Sequence, residues 1–158
     1  MPHSLSLLQS LLLCLHALAA ALWVGGMATM HFAVRPAAVQ TMEPPARLRF
    51  MHATLARFFS WVSAAIALLL ATGFAMIAMA GGFAAARWNV HAMMSIGIVM
   101  MVFFARIRLG HYRHLSDAVT ATDWPAAGAA LGSIRQLVFV NLWLGVAVFV
   151  VALVGRSM

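Results

Sequence analysis

Four long apolar runs, at residues 5–34, 58–80, 88–109 and 134–154, leave this chain few ways to fold. Each is long enough to cross the ~30 Å hydrocarbon core of a bilayer, which takes about 20 helical residues. A soluble domain carries roughly a quarter of its residues charged; here 8% of 158 residues are charged and 65% are hydrophobic. Within a bilayer every backbone polar group must be satisfied internally, so spanning segments become helices. The expectation is an all-α integral membrane protein, a single domain over residues 1–158 folded as a four-transmembrane-helix bundle. No linker, low-complexity tract or charge run marks a second domain.

The boundaries are marked by turn chemistry. The first run exceeds what a bilayer needs, so it tilts or extends past the head groups. Glu43-Pro44-Pro45 is a helix-start signal, and Leu48, Met51, Leu55 and Phe59 then recur at helical spacing, so the second helix begins well before residue 58. Gly81-Gly82 closes it. Within the connection 110–133, Thr122-Asp123-Trp124-Pro125 is another start with Pro in the first turn, and a short interfacial helix is expected to lead into the fourth span.

The net charge of +7 comes from ten Arg and no Lys, set against Glu43, Asp117 and Asp123. These arginines sit in short loops between apolar runs, where they set topology and touch lipid head groups; nucleic acid is not an expected partner, and the lipid bilayer is. Arg35, Arg47, Arg49, Arg57, Arg106, Arg108, Arg113 and Arg135 belong to the loops after spans one and three, whereas only Arg87 and Arg156 lie on the other side. The positive-inside rule makes those loops of a multi-pass protein cytoplasmic and places both termini outside, which in a bacterium means the periplasm. Both halves place a His-containing span before a basic connection, a hint of pseudo-symmetry. Cys14, the single cysteine, reads as a small buried hydrophobe.

Ionisable groups inside a span are functional candidates. His16 lies within span one, and Gln9, His16, Trp23, Met27 and Met30 share one stripe of that helix. His91 opens a similar stripe on span three with Met94, Ser95, Ile98, Val102 and Ala105, and Asn141 is the polar residue of span four. Span two offers Met76 and Met79, with Ser60 and Ser63 lower down. The plainer account is that a membrane histidine bonds a neighbouring carbonyl or amide and contributes about 1 kcal/mol to packing, with methionines as filler. A second set, His31, His52, His111 and His114, lies beside the arginines; such histidines are commonly just solvated, and the alternative is a metal uptake or release point. Thioether with imidazole suits Cu(I), and imidazole pairs also suit haem iron. Carboxylates are too scarce for calcium, magnesium or di-iron chemistry, and no hydrolase triad, phosphate loop or dinucleotide fingerprint is present.

The segment His16-Ala-Leu-Ala-Ala-Ala-Leu-Trp23-Val-Gly25-Gly26-Met27, followed by Arg35-Pro36, resembles the first-helix signature of the copper-resistance D (CopD-like) membrane proteins. Arg57-Phe58-Phe59 and Gly73 are similar to that family's second helix, and Arg135 with Asn141 to its last segment. The likeness runs over nearly the whole chain, specific in the first helix and diffuse beyond it. It implies copper handling in a bacterial inner membrane. A more distant similarity is to the four-helix membrane protoporphyrinogen oxidases, which bind haem b, and the two resemblances together single out His16, Trp23 and Arg35. Those relatives often carry Lys near the start of the third helix, where this chain has His91.

Three functions follow as expectations. In the first, a copper ion is bound within the bundle and passed between His91 and Met94, His16, then Met27, Met30 and His31. In the second, haem b sits between helices one and three with His16 and His91 as axial ligands and Trp23, Arg35 and Asn141 about it, giving an oxidoreductase or electron carrier. In the third, the protein is structural and binds no cofactor. Copper handling leads, and small-residue faces leave a homo-oligomer open.

Overall fold

A computed structural model describes the backbone of residues 2–157 and the side chains of residues 6–155. The chain forms four helical rods. The first is α1 (Pro2–Thr29), a five-residue π-turn (Met30–Val34) and α2 (Arg35–Thr41). The second is α3 (Pro44–Met79). After a 3-10 turn at Phe83–Ala85, the third joins α4 (Trp88–Arg106), a second π-turn (Ile107–His111) and α5 (Tyr112–Thr120); the fourth is α6 (Trp124–Ser157). All four are long and apolar enough to span a membrane. At 36 residues α3 is about 54 Å long against a core of about 30 Å, so the rods project well beyond the bilayer.

The helix ends form as the turn residues dictate. Glu43 stands at the N-cap position of α3, with prolines in its first turn, where a missing N–H costs nothing. Its far end closes on Gly81 and Gly82, at φ 96° and 87°, and the Gly82 N–H donates to the Ile77 carbonyl at 2.9 Å. Only glycine takes such angles without strain, and the bond satisfies a carbonyl the helix leaves free. Asp123 starts α6 by accepting the Ala126 N–H at 3.0 Å. The expected short interfacial helix ahead of span four is not separate: α6 runs unbroken from Trp124, because nothing between Trp124 and Ile134 breaks a helix.

Helix α1 packs on α3 and α4 on α6, while α6 also touches α1, α3 and α5. Two bare points on α6 allow this. A Cβ on Gly145 would meet Val24 of α1 at 2.6 Å and Met100 of α4 at 3.3 Å, and one on Gly155 would collide with Asn89 at the start of α4. Of the glycines conspicuous in the sequence, Gly26 lies against the Phe58 ring and Gly73 against His16, whereas Gly25 faces open space.

The core is concentrated toward the arginine-rich end. Leu48, Met51, Leu55 and Phe59 are all buried there, as their spacing predicts, against Ile107, Tyr112 and Leu115. Aromatic rings run through it. Trp23 meets Phe104 edge-on (6.2 Å), Phe104 meets Phe59 (5.8 Å), Phe59 meets Tyr112 (5.3 Å), and Tyr112 stacks on His52 (5.3 Å). Such edge-to-face pairs add about 0.5–1.5 kcal/mol each beyond their area.

Toward the other end the outer faces are apolar and uncovered by protein, as lipid-facing surfaces are. Leu7, Leu11 and Leu18 of α1 are exposed, and so is Cys14, which is not the buried hydrophobe expected of it. With few neighbours there, α1 turns most of its circumference outward. The stripe expected to line the interior on α4 also faces outward: His91, Ser95, Ile98 and Val102 are exposed, while Met100 supplies the buried contact.

The hint of internal symmetry has a structural counterpart. Each half is a rod interrupted by a five-residue π-turn and ending in a short helix, followed by one uninterrupted rod that starts beside an acidic residue and proline.

Replacing Gly145 by Leu should lower the stability of the detergent-solubilised protein by about 1–3 kcal/mol through overpacking. Gly25→Ala, which meets nothing, should leave the melting temperature near the parent's; thermal denaturation followed by circular dichroism compares the two.

Candidate functional site

Only two polar residues are buried in the bundle, Thr72 and Asn141, among the described residues. Each is joined to a residue of α1 that the sequence singles out. His16 Nδ1 lies 2.9 Å from Thr72 Oγ1 on α3. The Thr72 hydroxyl has one hydrogen, which it donates to the Leu68 carbonyl at 2.6 Å. Its oxygen can then accept from a protonated Nδ1 of His16, the tautomer in which Nε2 keeps its lone pair and the imidazole can ligate a metal. Gly73 makes room, since a Cβ there would come within 3.3 Å of His16 Cε1. Thr72 is not among the sequence-derived candidates. The serines that are, Ser60 and Ser63, bond back to their own helix at Ala56 and Phe59.

Asn141 is 1% exposed on α6. Its Nδ2 donates to Met27 Sδ at 3.8 Å, and Oδ1 is buried with no hydrogen-bond partner. An amide half-satisfied in an apolar interior costs about 1–3 kcal/mol. Met27, at 2% exposed, offers a soft thioether at the same point, with Met30 buried one turn on. Trp23 is buried between His16 and Met27 in sequence, its ring against Phe104. The α1 stripe from Trp23 to Met30 is thus an inward seam, while Gln9 at its start is exposed. His16 and Met27 are eleven residues apart, about 16 Å along the helix, so they belong to separate stations.

The other candidates are dispersed. His31 lies in the first π-turn between Phe32 (4.8 Å) and Phe139 (4.9 Å). His91 is exposed and Met94 half-buried at the start of α4. His16 is turned to α3, where it meets Thr72, and His91 stands on the outer face of α4. His52, stacked on Tyr112, has a buried Nε2 without a partner; His111 is half-buried in the second π-turn and His114 is exposed. Arg35 opens α2 and lines a cavity of about 280 Å3 together with Arg47 and Arg135.

Copper fits this donor set in one form only. Among the described residues no three His, Cys, Asp or Glu side chains gather as a metal shell. What remains is one imidazole poised by Thr72 and thioethers in an apolar interior, donors that suit Cu(I) rather than a hard divalent ion.

The family profile described as copper resistance protein D matches residues 52–154. That stretch takes in most of α3, then α4, α5 and nearly all of α6, and includes Thr72, Gly73, His91 and Asn141. It leaves out His16, Trp23 and Arg35, on which the resemblance in sequence rests most heavily. No curated protein and no solved structure matches the chain.

Asn141→Leu should melt at or above the parent's temperature, because it removes a buried atom with no partner. Thr72→Val should lose about 1 kcal/mol of packing with the His16 hydrogen bond. A loss of about 2 kcal/mol or more for Asn141→Leu would instead make the amide a structural bond between helices.

Proposed function

The chain belongs to the copper resistance protein D family of bacterial membrane proteins, and from that premise we propose that it handles copper in the inner membrane, with Cu(I) as its cargo. The observation that carries this reading is the His16–Thr72 bond, which holds an imidazole in a fixed setting inside a membrane span, with Nε2 as the ligating nitrogen when Nδ1 carries the proton. Met27, beside the half-satisfied amide of Asn141, is the second station. Met30 and His31 continue the line toward the arginine-rich end, and His91 with Met94, at i and i+3 on the first turn of α4, takes up the ion at the opposite end. Stations of one or two soft donors bind weakly, and a transported ion must be able to leave each of them. Trp23 and the surrounding apolar side chains keep water from the line.

Titration of the purified protein with Cu(I) against a chromogenic chelator, under reducing and anaerobic conditions, tests the assignment. His16→Ala and Met27→Leu should each weaken binding, and Thr72→Val should do so about tenfold by freeing the ring to turn. Parent-like affinity in all three would dismiss both stations.

The eight-to-two distribution of arginines supports cytoplasmic loops after the first and third rods. In a Cys14→Ser background, Asp117→Cys should resist a membrane-impermeant thiol reagent added to intact cells, and Ala84→Cys should react. The reverse pattern would invert the topology.

A further inference from the structure

Arg35 at the start of α2, Arg47 near the start of α3 and Arg135 on α6 come from three separate rods and line one cavity of about 280 Å3. Arg35 lies within electrostatic range of both others, so the cluster is a meeting of like charges. Among the described residues no carboxylate pairs with any of the three. The remaining walls are apolar or bare: Leu48, Met51 and Leu131, with Gly128 and Gly132 one helical turn apart on α6. A Cβ on either glycine would meet nothing within 4 Å, so the opening there is real space. The cavity sits just past the end of the first apolar run and at the start of the fourth.

Three arginines lining one cavity with no carboxylate partner call for an anion, and guanidinium geometry favours paired hydrogen bonds to phosphate oxygens. A free ion would have no use for the apolar wall. We propose that this cavity binds a phosphate group, and that the phosphate belongs to an anionic phospholipid whose glycerol backbone rests on Leu48, Met51 and Leu131. The lipid then clamps α2 to α3 and α6, neutralising charges that otherwise push these elements apart. This inference stands independently of the copper reading.

The test is the thermal stability of the full-length protein in detergent, titrated separately with phosphatidylglycerol, phosphatidylcholine and inorganic phosphate. Phosphatidylglycerol should raise the melting temperature, and the other two should not. Arg35→Gln with Arg135→Gln should require at least tenfold more phosphatidylglycerol for the same rise. Gly132→Leu, which fills the space and keeps every charge, should lose the response as well, and it decides the matter if the double variant fails to fold. Arg106→Gln with Arg113→Gln removes the same charge at exposed positions away from the cavity and should respond as the parent does. An equal loss in this last pair, or an undiminished response in Gly132→Leu, would overturn the site in favour of general charge attraction. An equal rise with inorganic phosphate would overturn the lipid as its source.

Discussion

The architecture depends on how closely α6 approaches its neighbours. Lipid is as apolar as the helices, so burying hydrophobic surface does little to hold a bundle together in a membrane, and close backbone contact and interhelical hydrogen bonds take over. Gly145 brings α6 against α1 and α4, and Gly155 receives Asn89 near the C-terminal end of the same rod. With α6 central, α1 and α4 each settle on a partner and present most of their remaining surface to lipid. The exposed leucines of α1 and the outward stripe of α4 are the direct result.

Against that background the two buried polar residues stand out as deliberate expense. Thr72 offsets its cost by bonding both its own helix and His16, holding the imidazole in place as it does so. Asn141 is different, since only one end of its amide finds a partner, and that partner is a weak one. A leucine would fill the same volume without the penalty. The amide instead stands beside the Met27 thioether, at a fully enclosed point of the bundle.

Much of this was legible in the residues. Proline, acidic and glycine signals located the ends of α3 and the start of α6, and the spacing of Leu48, Met51, Leu55 and Phe59 located its buried face outside the apolar run. The arginine-rich end, being partly in water, still obeys the contrast of polar and apolar faces. Inside the membrane that contrast vanishes. Residues that face lipid and residues that face protein are equally apolar, so periodicity found the inward seam of α1 from Trp23 to Met30 but mistook the outer face of α4 for an inner one. Thr72 escaped notice because a threonine that bonds its own carbonyls is ordinary in a membrane helix; only the neighbouring Gly73, opposite His16, hinted that a ring lay against it. The π-turns left no sequence mark at all.

Those π-turns have a consequence for how the two ends of the protein are geared. Each holds one residue more than its span of α-helix would, a phase insertion that turns everything after it by about 100° relative to everything before. Upstream of the first turn lie Trp23 and Met27, and immediately downstream lies Arg35. The angular setting between the intramembrane seam and the arginine cavity is therefore carried by one surplus residue in Met30–Val34, and its counterpart in Ile107–His111 sets Tyr112 against His52 in the same way. Should either turn relax to α-helical winding, the shift would propagate as a rotation of the short helix beyond it, linking the interior of the bundle to its charged rim like two dials on one shaft.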